Sequence, residues 1–191
     1  MEIARADLPR NLAALAVRIR VCTRCDLHLS RKRAVPGEGP PRARLLLVGE
    51  APGRREDATG RPFQGAAGRI LDDALRQAGI PRDRAFITNA VKCRPPENRR
   101  PRAGELAACR PYLEAQLLAA RPRVIVTLGN TATRDLLGPG ATLRTARGRR
   151  LSYGGIPVLA TYHPAAVLYN RRLLPRLVQD LRKARERAEE G

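Results

Sequence analysis

Four short apolar runs punctuate the chain, each followed by a segment of helical character. Leu45-Leu46-Leu47-Val48, Ala85-Phe86-Ile87-Thr88-Asn89, Val124-Ile125-Val126-Thr127-Leu128 and Ile156-Pro157-Val158-Leu159-Ala160-Thr161-Tyr162 are unbroken apolar or β-branched runs of strand length. Continuous rather than alternating runs belong to strands covered on both faces. Between them, apolar positions recur at helical spacing: Leu12, Leu15, Ala16 and Ile19 in a helix from about Leu8 to Val21, and Ile70, Leu71, Ala74 and Leu75 in a helix ending at Gly79. Helical composition also runs from Ala103 to Ala120, with Pro111 expected to kink or divide it, and a short helix ends at Leu137. A basic amphipathic helix from about Leu174 to Ala188 turns Leu177, Val178, Leu181 and Ala184 to one side. The basic stretch after Gly138-Pro139-Gly140 leaves room for a small hairpin. Strands alternating with helices predict an α/β fold whose parallel sheet of four strands is covered on both sides, in a single domain spanning residues 1–191.

Gly49-Glu50-Ala51-Pro52-Gly53 leaves the carboxyl end of the first strand, the position at which open α/β sheets hold their ligands. It is neither a G-x-G-x-x-G fingerprint nor a P-loop, so a nucleotide cofactor is not its expected ligand. The same sheet edge collects Asn89, Gly129-Asn130 and His163 from the other strand ends, and Phe63, in Gly60-Arg61-Pro62-Phe63-Gln64-Gly65, can fold over it. An aromatic plate, an amide, an imidazole and a carboxylate suit a flat heterocycle such as a base extruded from DNA. An asparagine amide offers a donor and an acceptor together, which matches an imide edge like that of uracil. Taken singly, Phe63 reads as core, Asn89 as a turn residue, His163 as a surface histidine and Glu50 as a cap for the following helix. Only their convergence makes a site.

Charge narrows the partner. The 191 residues carry 37 basic against 18 acidic side chains, a formal net charge of +19, and only Lys32, Lys92 and Lys183 are lysines. Compositional bias accounts for arginine in place of lysine but not for the excess over acids, which points to a polyanion. No apolar run approaches membrane-spanning length, and Met1 to Asp7 lack the features of a secretion signal, so an intracellular protein is expected. Against that background the four cysteines, Cys22, Cys25, Cys93 and Cys109, read as ligands rather than disulfides. A C-x₂-C pair followed by two cysteines with 15 residues between them fits zinc or an iron–sulfur cluster. The absence of a second C-x₂-C knuckle favours [4Fe–4S]. Lys92, Arg94 and Arg110 flank these ligands, so the metal site would brace basic loops against a phosphate backbone.

The motifs Gly49-Glu50-Ala51-Pro52-Gly53, Gly60-Arg61-Pro62-Phe63-Gln64-Gly65, Thr88-Asn89-Ala90-Val91-Lys92-Cys93-Arg94-Pro95-Pro96 and His163-Pro164-Ala165-Ala166 resemble, in order, those of family 4 uracil-DNA glycosylases. The resemblance spans nearly the whole chain and includes all four cysteines. It implies a three-layer α/β/α sandwich with strand order 2-1-3-4, a [4Fe–4S] cluster on the cysteines, and a monofunctional DNA repair hydrolase that removes uracil and leaves an abasic site. By the same resemblance, Phe63 stacks on the flipped base, Asn89 bonds its edge, backbone around Gly49, Glu50 and Ala51 touches the ring or a nearby phosphate, and His163 stabilises the departing base. Val167, Leu168 or Tyr169 would fill the gap left in the stack, and Arg171 and Arg172 would hold phosphates. Ala51 stands where the best-known uracil glycosylases place a water-positioning aspartate, which leaves Glu50 as a catalytic candidate behind His163 and Asn89. The expected partner is uracil-containing DNA, single- or double-stranded, met by a monomer in the cytoplasm at the nucleoid. Two other readings stay open: a nucleic-acid-binding module with a structural metal and no turnover, and a glycosylase acting on a wider set of deaminated bases.

Overall fold

A computed structural model describes residues 8–190; the reading of Met1 to Asp7 as lacking a secretion signal falls outside them. The elements, in order, are α1 (Leu12–Arg20), α2 (Leu27–Ser30), β1 (Leu45–Gly49), α3 (Arg54–Thr59), α4 (Ala66–Gln77), β2 (Ala85–Asn89), α5 (Ala103–Ala120), β3 (Val124–Leu128), α6 (Asn130–Leu137), α7 (Leu143–Ala146), β4 (Leu151–Tyr153), β5 (Ile156–Thr161), α8 (Pro164–Tyr169) and α9 (Leu174–Glu189). The sheet runs β2-β1-β3-β5-β4. Its four parallel strands keep the expected 2-1-3-4 order, and the count rises to five because β4 adds an antiparallel edge. The β4–β5 hairpin turns on Gly154 and Gly155, both at positive φ, as a two-residue turn matched to strand twist requires.

Every residue of β1, β2 and β3 is buried, which is why these strands carry no polar alternation. Leu45 and Leu47 face one helical layer with Val124 and Val126, packed on Leu71, Ala74 and Leu75 of α4 and Leu177 and Leu181 of α9. Leu46, Val48 and Ile125 face the other, on Leu113 and Leu117 of α5 and Leu136 of α6. Each fully buried leucine or isoleucine contributes about 1.5–3 kcal/mol, so the two-sided burial of the central strands is the main stabilising term. A third cluster joins Leu15 and Ile19 of α1 to Tyr112 and Ala115 of α5 around the cysteines.

Pro111 does not divide α5, which runs unbroken for 18 residues. The lost backbone donor is outweighed by burial on both sides of it, at Cys109, Tyr112, Leu113 and Leu117. The segment after β1 opens two helices where one was expected. α3 ends at Gly60, in the left-handed region (φ 75°), and a loop through Phe63 leads into α4. Register then assembles the site: Gly49 pairs with Asn89 at the carboxyl ends of β1 and β2, and the Gly129 N–H donates to Thr161 C=O two residues before His163.

Candidate active site

At those strand ends a cleft of about 210 Å³ is lined by Glu50, Ala51, Pro52, Gly53, Glu56, Phe63, Ala67, Asn89, Pro95, Asn98, Arg99, His163 and Ala165. Phe63, Asn89 and His163 thus come from three separate parts of the chain to one place, and the Phe63 and His163 rings stand 5.8 Å apart at 30°. Phe63 is both plate and core: it is nearly buried, and it packs with the α4–α9 cluster. Its backbone sits at φ +52°, a conformation costly for an aromatic residue and held only by over-determined surroundings.

Three features enforce it. The Glu56 carboxylate accepts from the Gln64 N–H (2.6 Å), the Gly65 N–H (2.8 Å) and the Gly53 N–H (3.0 Å), tying the carboxyl end of the loop to the start of α3. Gly68 leaves room that no other residue would: a Cβ there would lie 1.9 Å from Phe63 O. Gly49, which does not itself line the cleft, does the same behind two residues that do: a Cβ there would meet Asn89 Oδ1 at 2.3 Å and Phe63 Cζ at 2.7 Å. Gly49 therefore acts through its missing side chain.

Asn89 is buried, and its Oδ1 is a buried acceptor with no hydrogen-bond partner among the described residues. An orphaned amide oxygen of this kind costs about 1–3 kcal/mol unless something supplies a donor. His163 caps α8. Its Nδ1 accepts from the Ala165 N–H at 3.1 Å, which leaves Nε2 to carry the proton of the neutral ring. Burial drives the ring pKa down to about 4, against the pull of the Glu56 carboxylate facing it, so the imidazole is neutral at physiological pH. Glu50 does not cap the following helix as its position allows. Its carboxylate accepts from the Thr131 hydroxyl at the start of α6, and Glu56 supplies the helix cap instead.

Beyond the cleft, α8 sorts the three wedge candidates by helical phase. Val167 is fully buried against α4 and α9, so it is a core residue and not a wedge. Leu168 is 41% exposed and Tyr169 92% exposed, and the adjoining Arg171 and Arg172 are also exposed. Glu56, Asn98, Arg99, Thr131 and Gly68 were not singled out by sequence reasoning. For Glu56 a signal existed, a glutamate three residues after the Gly53 cap. Asn98 and its neighbour Glu97 both lie at positive φ, which no sequence pattern announces.

The four cysteines line one enclosed cavity with Arg31, Lys92 and Tyr112. No three His, Cys, Asp or Glu side chains among the described residues converge closely enough to hold a single metal ion. Burial pushes the Cys93 thiol up, and that of Cys109 up to about 12, so these two thiols would stay protonated when bare. Arg31 donates to Cys93 Sγ (3.0 Å) and the Lys92 N–H donates to Cys109 Sγ (3.3 Å), the kind of contact that stabilises sulfur carrying negative charge.

The family model for the uracil DNA glycosylase superfamily matches residues 36–186. The chain belongs to that superfamily. It is 46% identical to the type-4 uracil-DNA glycosylase of Sulfurisphaera tokodaii over 87% of this chain and 80% of that one. It is 45% identical to the type-4 enzyme of Thermotoga maritima over 88% and 90%. A type-5 uracil-DNA glycosylase of Pyrobaculum aerophilum is 34% identical over 96% and 97%. The type-4 relatives match at 42–46%, which places this chain in the type-4 branch.

Proposed function

We infer that the protein is a monofunctional uracil-DNA glycosylase that flips uracil into the cleft of Phe63, Asn89 and His163 and hydrolyses its N-glycosidic bond. The observation that carries this reading is Asn89, which lines a cleft walled by an aromatic ring and whose Oδ1 is a buried acceptor without a partner among the described residues. The uracil N3–H supplies the missing donor, and the Asn89 amide N–H donates to the adjacent carbonyl. Phe63 stacks on the ring. As the bond between the sugar carbon and N1 breaks, its electron pair passes to the base and charge builds on a uracil oxygen. The His163 Nε2–H donates to that oxygen, an effect worth ~3–4 kcal/mol. Gly49, Glu50 and Ala51 bring backbone against the base, and water completes the reaction at the sugar carbon. Glu50, tied to Thr131, orders that side of the cleft.

Leu168 and Tyr169 fill the vacated stack, and Arg171 and Arg172 hold flanking phosphates of single- or double-stranded DNA. A monomer of one 1–191 domain, working in the cytoplasm at the nucleoid, accounts for the reaction. Cys22, Cys25, Cys93 and Cys109 would hold a [4Fe–4S] cluster, and all four line one cavity. When bound, the cluster would supply structure, bracing the loop that carries Arg94 toward the DNA. The strand is not cut, because the buried Lys92 Nζ is committed to Thr88 Oγ1 and Asn89 C=O and is not free for Schiff-base chemistry. A uracil-containing oligonucleotide incubated with the holoprotein tests the reading. Cleavage only after alkali is expected, and intact strands after alkali would refute it, leaving a DNA-binding module without turnover.

A further inference from the structure

Lys92 is the one fully buried lysine among the described residues, and nothing in the glycosylase chemistry uses it. An ammonium group is costly to bury, so its partners define its purpose. Its Nζ donates to Asn89 C=O at 2.6 Å and to Thr88 Oγ1 at 2.8 Å. The Thr88 hydroxyl donates onward to Pro36 C=O at 2.9 Å, an oxygen that also accepts from Gln116 Nε2 at 2.6 Å. At its other end the Lys92 N–H donates to Cys109 Sγ, and its C=O accepts from the Val35 N–H at 2.7 Å. The ladder of β2 ends at Asn89, and beyond it only the Ala90 and Val91 N–H groups continue onto Gly49 and Glu50. Asn89 C=O belongs to the peptide whose N–H, that of Ala90, is held by Gly49, and Lys92 Nζ holds its carbonyl end, directly behind the amide that reads the base.

We propose that Lys92 is the positioning residue for Asn89, a cation that pins the strand-end carbonyl from the cysteine side so that the Asn89 amide faces the cleft at a fixed angle. One residue then spans both sites, touching a cluster-ligand sulfur through its backbone and the base-reading residue through its side chain. This rests on Asn89 reading uracil, and it adds that the angle of the amide is set from behind and not by the cleft.

A double-mutant cycle on the cluster-loaded protein tests it. Single-turnover uracil excision is measured for wild type, Lys92→Met, Asn89→Ala and the double variant, each checked for wild-type visible absorbance and melting. Misplacing a reacting contact by about an ångström costs up to about 100-fold. Lys92→Met is expected to slow excision at least about 10-fold alone, and less than about twofold when Asn89 is already alanine. Equal losses in both backgrounds, or no loss in the first, would overturn the proposal, because a merely structural lysine acts independently of Asn89. Where Lys92→Met fails to fold or to load, Thr88→Val takes its place under the same criteria. It removes one Nζ partner and leaves the Cys109 contact intact. If Asn89→Ala alone excises uracil at the wild-type rate, it is the cleft reading that fails, a result distinct from equal losses.

Discussion

A neutral His163 has a measurable consequence for both stability and rate. Unfolded, histidine takes up its proton near pH 6.5; folded, burial holds this ring unprotonated down to about 4. Between those values the unfolded chain binds the extra proton, so stability rises with pH across the window and is lost as pH falls from 6.5 towards 4. At about 1.36 kcal/mol per pH unit the full effect is about 3 kcal/mol, of which about 1.4 kcal/mol is gone by pH 5.5. Urea unfolding of wild type and His163→Gln between pH 7.5 and 4.5 reads it as a difference that cancels the other titrating groups. Catalysis has the matching signature. With Nδ1 occupied by the Ala165 N–H, the neutral ring already presents its Nε2–H, so single-turnover excision should cross pH 6.5 without an inflection assignable to His163. His163→Ala should slow it by about 10²–10³-fold, the usual cost of one charge-stabilising donor. The sequence holds only two histidines, so the ring signal that disappears in that variant is unambiguous by NMR. A His163 midpoint between pH 6 and 7, with excision falling as the ring deprotonates, would make imidazolium the donor and refute the reasoning.

Other consequences are as direct. Gly49→Ala puts a methyl group against the buried Asn89 Oδ1 and Phe63 Cζ, and it should lower kcat/KM at least about 10-fold and cost about 1–3 kcal/mol of stability by overpacking. Gly68→Ala meets Phe63 backbone instead and should destabilise by about 1–3 kcal/mol in urea titrations. Asn89→Ala removes a two-point base contact worth about 1–3 kcal/mol, so uracil excision should drop about 10–100-fold relative to wild type in single-turnover assays. The purified protein should be brown with iron and acid-labile sulfide in equal amounts, and Cys109→Ser should lose both; a colourless, zinc-loaded protein contradicts the cluster. Replacing Arg171 and Arg172 by alanine should reduce the slope of log affinity against log salt by about 2, and an unchanged slope would remove them from the phosphate contacts.

The parallel strands were legible because burial on both faces leaves no polar residue to interrupt them, and β1, β2 and β3 match their apolar runs to within a residue. One element escaped notice because its buried side chains are not apolar. α3 buries Glu56 and Asp57, two carboxylates that hydrophobic periodicity counts as solvent-facing. Asp57 spends its charge on the Lys32 and Arg33 N–H groups, and Glu56 on the Phe63 loop. β4 was expected only as part of a small hairpin after Gly140, because three residues at a sheet edge, none of them buried, carry too little pattern to place a strand. Val167 was misread through neglect of phase, because on α8 it follows Pro164 by three positions and turns inward with it, while Leu168 and Tyr169 turn out. Phe63, Asn89 and His163 could be gathered at one edge from strand order alone, but the φ of Phe63 and the empty space at Gly49 and Gly68 could not.

That distinction bears on the alanine at position 51. Both carboxylates near the cleft are committed, Glu50 to the Thr131 hydroxyl and Glu56 to three backbone N–H groups, so neither is free to serve as a strong general base without giving up a structural contact. A site short of base catalysis can still be fast if the bond to the leaving base breaks largely before water attacks, because a cationic sugar accepts a weak nucleophile. Such a mechanism places its demand on the leaving group, where Asn89, His163 and the stacked Phe63 act together. It also accounts for the rigidity around them: the Glu56 clamp, the glycine clearances and the strained Phe63 backbone fix the geometry of the departing base, while the water side is left to Ala51. Excision should therefore respond steeply to substitutions that raise the basicity of the departing uracil and weakly to Glu50→Gln. A Glu50→Gln loss as large as that of His163→Ala would show that water activation, and not leaving-group stabilisation, limits the reaction.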